Sequence, residues 1–172
     1  LTGVNFGRGL PLALAMEGVP VASVGDLSKY GLLTDIKREK NRNDALDLFG
    51  RMYAPRIGQG QVDDFIRRTG VEALKGADIL ATAPGKYQSE IEYTYGNIGE
   101  YLRDIVQVHN AGFGTQVLFT STPYNVFDHH ANQAAAHSAL LHDVAHNIDI
   151  FMTDLCQQNI SDNIVTLLYS EF

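Results

Sequence analysis

The chain has 172 residues, 45% of them hydrophobic and 19% charged, with a formal net charge of −7. That length suffices for one globular domain with its own core, and the acidic balance excludes a nucleic-acid backbone as partner, which would need clustered Lys and Arg. No apolar run approaches the roughly 20 residues that span a bilayer, and the lone Cys156, expected as a small buried side chain, cannot form an internal disulfide.

Taken in chain order, the first segment is Gly-rich. Gly7-Arg8-Gly9 invites comparison with a phosphate loop, but Leu12 stands where the third glycine of the dinucleotide fingerprint belongs, and no strand is expected before it. Pro20 to Gly25 is β-branched, short and closed by glycine, which predicts a strand. The mixed-sign run Asp35 to Lys40 reads as a solvated helix face. Helices are predicted over Lys37–Ala54 and Gln61–Lys75, with Val62, Phe65 and Ile66 on one side of the second. Ala77 to Ala83 is an apolar run that fits a helix end or a strand. Pro84 to Tyr95 turns polar and aromatic, the pattern of an exposed loop or lid, and Tyr87, Tyr93 and Tyr95 would line a substrate entrance or, as the preferred reading, an ordinary amphipathic surface loop. A helix resumes at Ile98 and stops at the glycines 112 and 114.

Gln116 to Ser121 is the clearest buried strand, a long helix over Gln133–Gln158 follows, and Ile164 to Tyr169 reads as a second clear strand. Apolar strands joined by helices predict an α/β fold, mainly a parallel sheet covered by helices on both faces. In the long helix, Leu141, Val144, Ile148, Phe151 and Leu155 define the expected core stripe. His137 lies on it, whereas His142 and His146 point away. His142-Asp143-Val144-Ala145-His146 therefore reads as a solvated face despite its likeness to a zinc-protease helix. The sequon Asn159-Ile160-Ser161 carries no weight, being common by chance.

Chemistry concentrates at Phe127-Asp128-His129-His130-Ala131-Asn132, between a strand and a helix. Ligands in parallel α/β sheets gather beyond the carboxyl ends of the strands. Asp128 follows one predicted strand and Glu171 the other, so the two carboxylates and an imidazole would converge if those strands are neighbours. Such a donor set suits zinc, manganese, calcium or magnesium. The competing reading makes Asp128 a helix cap and the histidines surface residues.

Gly114-Thr115-Gln116-Val117-Leu118-Phe119, Phe127-Asp128-His129-His130-Ala131-Asn132-Gln133, Asp154-Leu155, Asp162-Asn163-Ile164-Val165-Thr166 and Ser170-Glu171-Phe172 together resemble the DUF1501 family of bacterial proteins, within the alkaline phosphatase and sulfatase superfamily. The segment Gly7 to Val21 is similar too. His129 replaces the family's threonine. The resemblance implies a partial alkaline phosphatase-like fold, one truncated domain over 1–172, and an exported, periplasmic parent. It implies a hydrolase of phosphate or sulfate esters, small-molecule or saccharide, that uses a divalent zinc, manganese or calcium ion. Asp128, His130 and Glu171 would be its ligands, with His129 and His137 behind them or on the substrate. The nucleophile would come from an earlier strand, so this piece alone is expected to be inactive. The implied alternative is a non-catalytic exported binding or surface-assembly protein that keeps the fold.

Overall fold

The computed structural model describes residues 1–15, 19, 21–31, 36–54, 60–123, 126–131 and 133–170. Three parallel strands, β1 (Gly3–Phe6), β2 (Val21–Val24) and β3 (Val117–Thr120), form a sheet in the order β2-β1-β3. Register pairs Asn5 with Ser23 and with Phe119, and Phe6 with Val24 and Thr120. Alternation along each strand turns Val4, Phe6, Ala22, Val24 and Leu118 to one face. There they meet Leu102, Ile105 and Val106 of α3 (Asn97–Asn110), with Phe151 and Leu155 of α4 (Gln133–Gln157) completing the core. Asn5, Ser23 and Phe119 occupy the other face, where Val117 is 45% exposed, so that face is only partly covered.

The predicted strands over 20–25 and 116–121 are both present. The central strand β1 is an addition. At four residues, Gly-Val-Asn-Phe, it is too short and too irregular to show an apolar period, yet all four are buried because β2 and β3 flank it. The expectation that no strand precedes Gly7-Arg8-Gly9 is thereby corrected. That loop still fails as a phosphate cradle. The Gly7 amide donates to the Val24 carbonyl, and the Gly7 and Gly9 carbonyls point back at Ser23 Oγ and Asn5 Nδ2, 2.7–3.1 Å away.

Helices α1 (Glu39–Tyr53) and α2 (Gln61–Leu80) pack mainly on each other. The Ala77–Ala83 run is the end of α2 and the turn beyond it, not a strand. Of the Asp35–Lys40 run, Glu39 and Lys40 are helical and exposed, while Asp35 lies outside the described residues. Cys156 is exposed rather than buried.

The predicted strand over 164–169 is not formed. The segment is extended at Ile164 but pairs with no strand among the described residues, and Val165 and Leu167 are 97% and 78% exposed. An apolar β-branched run states a preference for strand geometry, whereas the ladder requires a neighbour in register. The Tyr169 ring does lie 6.4 Å from that of Phe119, beside the edge strand β3.

The core stripe of α4 is rotated by roughly 50° from the apolar one at 100° per residue. Asn147, Phe151, Asp154 and Leu155 are buried, while Leu141 is 52% exposed. Two polar residues displace it, and they matter below. Among the described residues no helix is long and apolar enough to cross a membrane.

Candidate functional site

The carboxyl ends of all three strands lie at one edge of the sheet. Because the chain steps from β1 to β2 on one side and returns to β3 on the other, the order reverses between β1 and β3. That reversal marks the place where open α/β sheets hold ligands. The loop after β3 delivers Asp128, His129 and His130 there. His130 Nε2 stands 3.1 Å from Asp128 Oδ1, with the imidazole 87% and the carboxylate 37% exposed. Helix α4 starts at Gln133, which leaves Asp128 outside its first turn and unavailable as its cap.

His129 turns the other way. Its Nδ1 is 3.2 Å from the Phe127 carbonyl, and its ring meets that of His137 edge-on at 5.9 Å. The Phe127 ring meets His137 in the same manner at 5.8 Å, and His137 Nδ1 is buried without a partner. His137 thus packs behind the loop, on the half-buried side of α4, as its position on the apolar stripe predicts. His142 and His146 are exposed, with their rings stacked 6.1 Å apart.

Two donor atoms 3.1 Å apart and open to solvent suit two positions of one cation's coordination shell. A closed zinc site takes four protein ligands and an open one three. Glu171, the third expected ligand, and Asn132 lie outside the described residues, and among the described residues no group of three or more His, Cys, Asp or Glu converges. Asp128 and His130 therefore fit part of a metal site.

A cleft of about 210 Å³ opens beside this pair. It is bounded by Thr94, Tyr95 and Ile98 from the start of α3, Phe127 from the loop, and Leu140 and Val144 from α4. The segment that brings Thr94 and Tyr95 to it is held to α4 by a polar cluster that apolar periodicity does not reveal. Asp154, fully buried, accepts hydrogen bonds from Tyr87 Oη at 2.6 Å, Tyr93 Oη at 2.8 Å and Ser89 Oγ at 2.9 Å. Two turns earlier the buried Asn147 accepts from Thr94 Oγ1 and donates to Asp143. The 84–95 segment is therefore strapped to α4, correcting its assignment to an ordinary surface. Tyr95 alone, 99% exposed, behaves as expected. Burial and the bond to Asp154 push the Tyr87 phenol up to about 12, and burial raises that of Tyr93 further, so both stay protonated donors at neutral pH. The available signal was the run Tyr87, Ser89, Tyr93, Thr94, four hydroxyls that need acceptors.

A second, polar cleft of about 280 Å³ lies beyond β2, between Asp26, Lys29, Arg103 and Asp104. Lys29 and Ser28 hold the Asp26 carboxyl down at about 2, whereas burial pushes Asp104 up to about 6. Comparison with family models, curated proteins and solved structures gives no match.

Proposed function

We propose that the chain carries part of the metal-holding site of an alkaline phosphatase-type hydrolase acting on phosphate or sulfate esters. The observation that carries this is the meeting of Asp128 Oδ1 and His130 Nε2 at 3.1 Å, beyond the carboxyl end of β3 and next to the strand-order reversal. Asp128 and His130 would hold the ion, a zinc, manganese or calcium, and Glu171, outside the described residues, would be the third ligand. The ion, when bound, would stabilise negative charge on the transferring group. His129 and His137 fix the loop: through their edge-on rings and the Phe127 carbonyl they limit how far Asp128 can swing. The adjoining cleft accepts the alcohol half of a small-molecule or saccharide ester.

Hydrolysis of 4-nitrophenyl phosphate and 4-nitrophenyl sulfate by the longer parent protein that the resemblance implies, which would supply the nucleophile, with each ion added in turn, tests this. Ion-dependent turnover that falls at least about 100-fold in Asp128→Ala is expected, since loss of even a supporting partner of a metal ligand costs roughly 10–100-fold. Turnover equal in wild type and variant, or none with any ion, contradicts it.

A non-catalytic assembly protein is the second possibility. Leu48 and Met52 on α1, with Val62, Phe65 and Ile66 on α2, are each more than half exposed, and large exposed apolar patches mark interaction surfaces. Absence of turnover together with self-association in sedimentation velocity would favour it.

A further inference from the structure

The cleft beside Phe127 has the size of a site for one aromatic ring. Its volume of about 210 Å³ exceeds the roughly 150 Å³ of an apolar cavity that takes benzene, and falls short of the roughly 300–1,000 Å³ of typical ligand pockets. A single ring with one short substituent matches that volume. Ile98, Val126, Phe127, Leu140 and Val144 present carbon to this space while remaining half-buried themselves. Phe127 is held by the edge of the His137 ring.

One charged group lines the cleft, Asp143. Its Oδ1 accepts from Asn147 Nδ2 at 3.2 Å, and Asn147 is itself fully buried and bonded to Thr94, so the carboxylate is set in place by an amide that cannot move freely. Its Oδ2 has no partner among the described residues, and no Lys or Arg lines the cleft. Asp143 is exposed at the rim of the cleft, where its carboxylate attracts a cation and repels an anion.

We propose that this cleft binds a monocyclic arylalkylamine, its ring against Phe127, Leu140 and Val144 and its alkylammonium on Asp143. The site stands whether or not Asp128 and His130 take a metal. Where they do, Phe127 joins the two, and the ring is the alcohol half of an aryl ester.

Calorimetric titration of the full chain with tyramine, and with 4-hydroxyphenylacetate as the same ring bearing an anion, tests it. Tyramine is expected to bind at least tenfold more tightly. Asp143→Asn should weaken tyramine by about tenfold or more, as loss of a charged hydrogen-bond partner does, and bring the two probes together. Val144→Trp, which fills the cleft, should remove tyramine binding. Asp128→Ala/His130→Ala should leave it unchanged, so failure of the metal site and failure of this one are separately visible. No tyramine binding at millimolar concentration, equal affinity for the two probes, or full binding in a folded Val144→Trp variant overturns the proposal. If Val144→Trp does not fold, the Asp143→Asn comparison decides.

Discussion

Asp104 shows what burial does to a single carboxylate. It is 5% exposed and its nearest cation, Arg103 Nη2, is 3.6 Å away, too far for a strong hydrogen bond. Loss of water outweighs that weak attraction, and its carboxyl rises from the ordinary 3.8 to about 6. Between those values the native state binds more protons than the unfolded chain, so this group's contribution to stability falls as pH rises from about 4 to about 6 and is absent at pH 7. Asp104→Asn should remove that decline and raise stability at pH 7 by about 1–2 kcal/mol, measured by urea unfolding at pH 4 to 7. Parallel curves for wild type and variant would contradict it. Asp26 runs the opposite way, but at about 2 it loses its contribution only below this window. Residues of this kind were hidden in the sequence. Asp128 and His130 were legible because a carboxylate and two imidazoles crowd one short loop. Asn147 and Asp154 stand singly on helices, and hydroxyls from the distant 87–94 segment make their burial tolerable, while the ion pair that Asp104 makes among the described residues is with its neighbour Arg103.

Helix α4 carries the same lesson at the scale of an element. Its length was plain from composition, since a long alanine- and leucine-containing stretch has no internal proline or glycine. The direction of its buried face was not. Apolar counting centred the face between Val144 and Ile148, with Leu141 on one flank, whereas bonds from Tyr87, Ser89, Tyr93 and Thr94 draw Asp154 and Asn147 inward and leave Leu141 outside. Two alanine substitutions discriminate the faces. Leu155→Ala, at a fully buried position, should cost about 2–5 kcal/mol. Leu141→Ala, more than half exposed, should stay within about 0.5 kcal/mol of wild type. Comparable losses in denaturant unfolding would return the face to the apolar stripe. Strands divide similarly. β2 and β3 are written in β-branched and aromatic residues, while β1 owes its place to two neighbours and 164–169 keeps a strand's composition without a paired neighbour.

At the scale of the whole molecule, three parallel strands, α3 and α4 bring the loop after β3, the start of α3 and one side of α4 around a single cleft. An α/β fold with a parallel sheet was legible from alternating strand and helix signals, and the position of Asp128 and His130 beyond β3 follows from it. Strand order was not legible, because β1 gave no signal and the reversal depends on it. Everything proposed about ester hydrolysis rests on whether the loop after β3 holds a cation. Plasma mass spectrometry of the protein and its Asp128→Ala/His130→Ala variant, each reloaded with zinc, manganese or calcium and desalted, measures this directly. The expected result is close to one ion per wild-type chain, lost in a variant whose circular dichroism is unchanged. No ion in the wild type, or equal content in both proteins, would contradict the metal site and with it the hydrolase.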